Sequence, residues 1–242
     1  MSNLMTHRHR APGFIGSLPA GGLRSVMPGG NTIGGWCREE RPRADGFRHV
    51  DTQRMIERLL EVGANHFFFG IWDSPTDFDD LCVEFAPAAE RAGLLLTPYI
   101  VPPSETFEFG RASEPYRTDY LAWAEAMAEL SLRCPAVTSW AIDDFDIGAN
   151  GDTFTPEHLA AIRERAASIN PDLALLTCAY FGSATSEAFL ARYGPYVDGI
   201  ILPFLDGPNS NTVVAESLAD TIGQVLAATQ DHGLGVLTLI YA

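Results

Sequence analysis

From residue 31 onward, short apolar runs that suit β-strands alternate with longer segments that have the periodicity of amphipathic helices. Seven strand-like runs follow one another, at 31–36, 66–72, 94–101, 137–142, 173–181, 199–205 and 235–241. Nearly continuous apolar strands that alternate with helices are typical of a parallel sheet covered by helices. Repetition of this unit favours a closed barrel over an open doubly wound sheet, and no GxGxxG turn follows any of the runs.

Local signals place the helix boundaries within this pattern. Asp51 is a suitable N-cap for a helix that ends near Gly63, and Thr155 can cap another helix whose first position is Pro156. We therefore expect an α/β fold of the (β/α)8 TIM-barrel type over residues 31–242, preceded by an N-terminal extension over residues 1–30. An eighth strand-like run is missing after residue 241. Either residues 23–27 supply a strand, or the barrel is incomplete or closed by a partner.

The charge balance restricts the partners of the chain. It has 242 residues, of which 46% are hydrophobic, and a net charge of −15. An acidic surface disfavours nucleic acid and anionic membranes, since both need a basic face. No apolar run is long enough for a membrane span or a signal peptide, so a cytoplasmic location is expected. We expect a small-molecule or carbohydrate substrate, and a homo-oligomer is left open.

All 16 basic residues are arginine, and the absence of lysine excludes several kinds of chemistry. Schiff-base aldolases, pyridoxal-phosphate enzymes and Walker-type phosphate loops each depend on a lysine amine. The four cysteines form no CxxC pair, and the histidines form no HExxH motif. Reduced thiols are therefore expected instead of disulfides or a zinc site, and no cofactor is required.

Candidate site residues lie where the strand-like runs end, because the loops of a β/α barrel converge at the carboxyl ends of its strands. The fourth run leads directly into the acidic segment Asp143-Asp144-Phe145-Asp146. Asp206 follows the sixth run as a further carboxylate, and Glu105 lies in the loop after the third. The residues predicted to contact a substrate are Trp36, Trp72, Asp73, Tyr99, Asp146, Tyr180 and Tyr241.

Strand alternation distinguishes the first two aspartates of this segment. Asp143 and Asp144 begin on opposite faces, so only one of them is expected to point into the barrel mouth. Small Ala141 shares a face with Asp143, whereas bulky Trp140 and Ile142 share the other face with Asp144. Since helix-facing positions usually take the bulk, Asp143 is predicted to face inward, with Asp144 beside it in a supporting position.

The residue types at the strand ends are acidic and aromatic, and no histidine base stands among them. This disfavours Ser-His-Asp and Cys-His catalysis. Paired carboxylates beside aromatic rings are what glycoside hydrolysis needs, with one carboxyl as the acid and the other as nucleophile or base. The same oxygen-rich set suits Mg²⁺. A plain solvated turn remains an alternative for each acidic segment, above all at Asp73 and Asp206, which precede Ser-Pro and Gly-Pro.

Three short segments resemble the barrel glycoside hydrolase superfamily. They are Ser-Trp-Ala-Ile-Asp-Asp-Phe at 139–145, Phe-Thr-Pro-Glu-His-Leu at 154–159 and Asn-Pro-Asp-Leu at 170–173. The resemblance implies that Asp143 or Asp144 is one catalytic carboxylate and that Asp206 is its partner. The chain departs from many retaining families of this kind, since no glutamate stands at the end of the seventh run.

Three functions follow from these observations. The first is a glycoside hydrolase-like enzyme that uses paired aspartates on a small sugar or glycoside. The second is a Mg²⁺-dependent enzyme that acts on a phosphorylated or diphosphate substrate through Asp143, Asp144 and Asp146. The third is a non-catalytic carbohydrate-binding barrel. The substrate, its linkage and the choice between retention and inversion stay open at this point.

Overall fold

The computed structural model describes residues 30–33, 37–108, 110–204 and 217–240. Within them, seven parallel strands form one sheet in sequence order. The strands are β1 (Gly30–Ile33), β2 (Ala64–Ile71), β3 (Leu95–Ile100), β4 (Ser139–Ile142), β5 (Ala174–Cys178), β6 (Gly199–Phe204) and β7 (Gly235–Ile240). β1 and β7, at the two edges of the sheet, approach each other, so the sheet curls around a common interior. The expected parallel β/α barrel is confirmed.

Helices connect the strands in the predicted alternation. They are α1 (Thr52–Glu61), α2 (Asp77–Asp80), a π-helical turn (Leu81–Phe85), α3 (Ala86–Ala92), α4 (Pro103–Glu108), α5 (Tyr120–Arg133), α6 (Asn150–Thr153), α7 (Pro156–Ala167), α8 (Phe181–Ala184), α9 (Glu187–Tyr193) and α10 (Leu218–Gln230). Both predicted caps form, because Asp51 accepts a hydrogen bond from the backbone of Arg54 and Thr155 accepts one from the backbone of His158. The short helices α4, α6 and α8 follow β3, β4 and β5 directly, and the sequence pattern did not predict them.

Alternation along the strands separates two apolar clusters. The inner cluster fills the barrel and consists of Phe68, Tyr99, Ala141, Ala174, Leu176, Cys178, Ile201, Leu237 and Leu239. The outer cluster packs the strands against the helices, and Trp140 and Ile142 belong to it. Ala141 therefore points inward and its two bulky neighbours outward, as the residue sizes predicted.

The amino-terminal end of the barrel interior contains polar side chains, and its histidine is uncharged. His66 on β2 lies 2.7 Å from the hydroxyl of Thr97, which in turn lies 2.6 Å from the hydroxyl of Ser139. Burial lowers the pKa of His66 to about 3, so its imidazole is neutral at physiological pH. The edge of this ring packs against Phe68, which separates it from the other end of the barrel.

β5 is four residues shorter than predicted. β5 ends at Cys178, and Tyr180 follows it as the residue before helix α8, so the prediction that Tyr180 lies within the strand was wrong. The apolar run continues to Phe181 because that residue packs against the outer cluster from the helix. The predicted N-terminal extension and the candidate strand at 23–27 lie outside the described residues. Within the described part of the chain, no helix has the length and apolarity that a membrane crossing requires.

Candidate functional site

Asp143 lies at the carboxyl end of β4, at the mouth of the barrel. Its backbone N–H donates to the carbonyl of Ile100 at 2.8 Å, which continues the pairing of β3 with β4 beyond the strand. The hydroxyl of Tyr99, on the inner face of β3, donates to the Asp143 carboxylate at 2.9 Å. The side chain of Asp143 therefore points inward, in agreement with the face assigned from the sequence.

Asp144 turns toward the same mouth, and the expectation that only one of the two aspartates could do so was wrong. The strand ends at Ile142, and Asp144 has a left-handed backbone with φ of 36°, so strand alternation no longer applies to it. Its carboxylate accepts a 2.7 Å hydrogen bond from the hydroxyl of Tyr180. Carboxylate oxygens of Asp143 and Asp144 and the sulfur of Cys178 all lie within 4.8 Å of one another.

The environment of Asp143 favours its protonated form. Burial, together with the nearby charge of Asp144, raises its pKa from the ordinary value of 3.8 to about 7, although the hydrogen bonds from Tyr99 and from the backbone N–H of Asp144 act in the opposite direction. The charge of Glu105 also contributes to the increase. Glu105 is buried on α4 and is paired with Arg111 at 3.2 Å. Asp143 is thus a carboxyl that retains its proton close to neutral pH.

Asn150, the first residue of α6, fixes the loop that carries the aspartates. Its side-chain amide donates to the backbone carbonyl of Asp144 at 2.8 Å and to the hydroxyl of Ser104 at 2.9 Å. Its side-chain oxygen accepts from the backbone N–H of Ser104 at 3.1 Å. Neither Asn150 nor Ser104 was found from the sequence, because an asparagine after an acidic turn has no pattern that distinguishes it from an ordinary loop residue.

Asp146 and Trp72 support the tyrosines of the mouth. A carboxylate oxygen of Asp146 accepts from the backbone N–H of Tyr180 at 3.3 Å, and burial raises the pKa of Asp146. The ring of Trp72 stands edge-on to that of Tyr99, with 5.6 Å between the ring centroids. Of the residues predicted from the sequence, the structure therefore brings together Asp143, Asp144, Tyr99, Tyr180, Asp146 and Trp72.

Asp73 lies at the exposed rim in an ion-pair network that joins the loop after β1 to the turn after β2. Arg38 pairs with Asp73 at 2.9 Å and with the buried Asp77 at 2.6 Å. Asp77 also accepts hydrogen bonds from the backbone N–H groups of Trp72, Asp73 and Ser74, at 3.2, 2.9 and 2.9 Å. Asp77 thereby fixes the backbone that carries Trp72, and a contact of Asp73 with substrate stays a prediction.

The described residues contain one compact group of potential metal ligands, formed by Asp143, Asp144 and Cys178. Asp146 is not part of it. Burial and the charge of Asp143 raise the pKa of the Cys178 thiol well above its ordinary value, and a thiol binds metal ions as the thiolate. Mg²⁺ prefers oxygen ligands. Asp146, the third ligand of the Mg²⁺ site predicted from the sequence, lies outside this group and accepts from the backbone of Tyr180, and a Mg²⁺ site at Asp143 and Asp144 stays a prediction.

Trp36, Asp206 and Tyr241 lie outside the described residues, so their predicted roles stay predictions. Cys178 was missed for a different reason. The sequence identified it only as a reduced thiol, and its free thiol is confirmed. Its place beside the aspartates follows from its position on the inner face at the end of β5, next to β4 in the sheet.

Comparisons with known proteins concern the fold. The sequence matches no protein-family model and no curated protein. An FMN-binding beta-glucuronidase from Facaelibacterium prausnitzii is similar in structure, with a TM-score of 0.51 and 12% identity over 86% of this chain and 29% of that one. A GH99 endo-alpha-mannosidase from Bacteroides thetaiotaomicron has a TM-score of 0.50 and 11% identity over 78% of this chain and 56% of that one.

The chain has the barrel fold of these glycosidases. The predicted resemblance to barrel glycoside hydrolases is thereby confirmed at the level of architecture. The chain spans about half or less of the length of each of these two structures.

Proposed function

We propose that this chain is a glycoside hydrolase-like enzyme whose reacting centre contains Asp143 and Asp144, and that its substrate is a small sugar or glycoside. The observation that carries the proposal is the Asp143–Asp144 pair at the carboxyl end of a central barrel strand, with oxygens within 4.8 Å of each other. The raised pKa of Asp143, about 7, gives one member of this pair a proton to donate. A carboxylic acid beside a carboxylate is the minimum that glycosidic cleavage requires.

Asp143 is the general acid of the proposed reaction. It transfers its proton to the glycosidic oxygen while the bond from that oxygen to the anomeric carbon breaks, so that the leaving group departs as a neutral alcohol. The positive charge that develops on the sugar ring is stabilised by the carboxylate of Asp144, which the hydroxyl of Tyr180 holds in place at 2.7 Å. The anomeric carbon then forms a new bond to water, directly in inversion or after a covalent intermediate with a partner carboxylate in retention, and the proton lost by this water passes to a carboxylate.

The two aspartates are neighbours in the chain and lie side by side, whereas acid and nucleophile in glycosidases flank the scissile bond. A carboxylate from another loop therefore completes the proposed site. Asp206, which follows β6, is the partner that we propose, and Glu105 on α4 is the second candidate. A separation from Asp143 of about 5–5.5 Å between carboxyl groups corresponds to retention, and one of about 6.5–9.5 Å to inversion.

Aromatic rings at the mouth suit a sugar ligand. Trp72 and Tyr99 form an edge-to-face pair next to Asp143, and Tyr180 adjoins Asp144. The apolar face of a sugar ring stacks on such side chains, and the phenol oxygens can exchange hydrogen bonds with sugar hydroxyls. Trp72 and Tyr180, which are partly exposed, are accordingly proposed as substrate contacts, whereas the buried Tyr99 supports Asp143 and its contact with substrate stays a prediction.

The test compares hydrolysis of a panel of 4-nitrophenyl glycosides by the wild-type protein and by Asp143→Asn and Asp144→Asn. Asp172→Asn, on an exposed turn before β5, is the matched control. We expect each of the first two variants to lose kcat/KM by about 10²- to 10⁴-fold, and the control to keep it. Full activity of Asp143→Asn and Asp144→Asn would contradict the proposal. Sugar binding by the wild type without turnover of any glycoside would instead support the non-catalytic barrel.

A further inference from the structure

The backbone of Asp144 requires something to hold it. Its φ of 36° is in the left-handed region, which is less favourable for a residue with a side chain than ordinary backbone. The hydrogen bond from Tyr180 reaches the end of the Asp144 side chain, where it restrains the carboxylate but not the peptide. The backbone of Asp144 is held by other groups. Its carbonyl accepts from the side-chain amide of Asn150 at 2.8 Å and from the backbone N–H of Ile147 at 3.1 Å, and its own N–H donates to the Asp143 carboxylate at 3.0 Å. Asn150 is the one of these groups that also bonds to the loop after β3.

Asn150 is itself rigidly placed. Only 1% of its surface is exposed, and its backbone carbonyl accepts from the N–H of Phe154 at 2.8 Å within α6. Phe154 is fully buried and stacks on Phe145, with 4.7 Å between the ring centroids. Asn150 therefore cannot move relative to Asp144 without disturbing the stacking of Phe154 on Phe145.

The second contact of Asn150 crosses to a different loop. Ser104 belongs to α4, which follows β3, and it exchanges hydrogen bonds of 2.9 and 3.1 Å with the Asn150 side chain. The residue after Ser104 is the buried Glu105. One amide thus joins the loop that carries both aspartates to the loop that carries the third carboxylate of the mouth.

We propose that Asn150 is a positioning residue that holds the left-handed backbone of Asp144, and that the side-by-side arrangement of the Asp143 and Asp144 carboxylates depends on it. Without the amide, the carbonyl of Asp144 retains the backbone N–H of Ile147 as a donor, at 3.1 Å, but loses its link to the loop after β3, so the left-handed conformation is less restrained. Asp144 then relaxes to negative φ, and its carboxylate moves away from Asp143. The importance of this arrangement for catalysis rests on the proposed function, whereas the arrangement itself does not.

The test uses Asn150→Ala, and Asn170→Ala as its matched control. Asn170 is half-buried and likewise donates to a serine, at 2.8 Å to Ser131, and accepts a backbone N–H, but it lies between α7 and β5 at the opposite end of the barrel. Crystal structures of both variants give φ at Asp144. NMR of aspartate labelled with carbon-13 at the side-chain carboxyl gives the titration midpoint of Asp143. The signal of Asp143 is assigned as the one that is absent from the spectrum of Asp143→Asn.

We expect negative φ at Asp144 in Asn150→Ala, together with a titration midpoint of Asp143 that is lower by about one pH unit, because the charge of Asp144 has moved away. Asn170→Ala should match the wild type in both measurements. If Asn150→Ala does not fold, Asn150→Leu retains the side-chain volume and lacks the donor. A folded variant of either kind that keeps both the left-handed Asp144 and the wild-type midpoint overturns the proposal.

A kinetic measurement separates this inference from the proposed function. If the chain hydrolyses glycosides, Asn150→Ala should lower kcat more than it raises KM, and the pH at which kcat falls should decrease with the titration midpoint. If no glycoside is hydrolysed, the function fails, and the structures and titrations still decide the role of Asn150, since neither requires a substrate.

Discussion

Tyr99 donates a hydrogen bond of 2.9 Å to the carboxylate of Asp143. This bond favours the ionised carboxylate, and it therefore opposes the burial that raises the pKa of Asp143 to about 7. Tyr99 is itself buried on the inner face of β3 and is held by the ring of Trp72. The phenol, together with the backbone N–H of Asp144 at 3.0 Å, thus keeps the pKa of the proposed acid below the value that burial and the charge of Asp144 alone would give.

Replacement of Tyr99 by phenylalanine is expected to raise the pKa of Asp143 further, because the donor to the ionised form is lost while the burial remains. The pH above which activity falls should move to higher values by about one unit, as measured by the pH dependence of kcat/KM or by carboxyl NMR. Tyr180→Phe is the comparison, since it removes a hydrogen bond to Asp144 and not to Asp143. A lower pKa of Asp143 in Tyr99→Phe would contradict the assignment of this hydrogen bond.

The raised pKa of Asp143 also predicts how stability depends on pH. Its value of about 7 in the folded chain lies above the ordinary 3.8, so the folded state binds the proton more tightly than the unfolded state does. The stability gained from this proton is complete below about pH 4 and is lost as the pH rises through 7. Asp143→Asn removes the cost of the buried charge. It should exceed the wild type in free energy of unfolding at pH 8, by an order of a few kcal/mol, and be similar at pH 4.

Urea unfolding at both pH values measures this difference. Asp172→Asn, which alters an exposed carboxylate, should leave the free energy of unfolding within about 0.5 kcal/mol of the wild type at either pH. Equal stabilities of Asp143→Asn and wild type at pH 8 would show that Asp143 is not destabilising when ionised. A gain in stability together with a loss of activity is the expected relation for a buried catalytic carboxyl.

The regular parts of this structure could be predicted from the sequence because they depend on local rules. Apolar runs and caps such as Asp51 and Thr155 gave the order of strands and helices, and the size alternation from Trp140 to Ile142 gave the inward face of Asp143. The rule of strand alternation failed at Asp144, one residue after Asp143. Alternation holds only within a strand, and no local pattern encodes the left-handed backbone of Asp144 or the hydrogen bond that its carbonyl accepts from Asn150.

The proposed reaction predicts that activity does not depend on a divalent metal, because a carboxyl acid and a carboxylate cleave glycosides without one. Dialysis against EDTA should leave both glycoside hydrolysis and the midpoint of thermal unfolding unchanged, and added Mg²⁺ should have no effect. Loss of activity in EDTA that Mg²⁺ restores would instead favour the phosphorylated-substrate alternative.

The ion-pair network at the rim predicts unequal effects of two neighbouring aspartates. Asp77 is fully buried, pairs with Arg38 at 2.6 Å and accepts three backbone N–H groups of the turn that carries Trp72. In Asp77→Ala, those three N–H groups lose their acceptor, and the positive charge of Arg38 loses one of its carboxylate partners. It should lower the free energy of unfolding by about 3–5 kcal/mol. Asp73 pairs with the same arginine, but 56% of its side chain is exposed.

Asp73→Ala should therefore cost about 0–1 kcal/mol, because water screens an exposed pair and replaces its hydrogen bonds. Urea unfolding of the two variants compares them directly, and tryptophan fluorescence reports the environment of Trp72. Substrate affinity separates the two roles considered for Asp73. A higher KM in Asp73→Ala with unchanged stability indicates a substrate contact at the rim, whereas an unchanged KM assigns Asp73 to the ion-pair network alone.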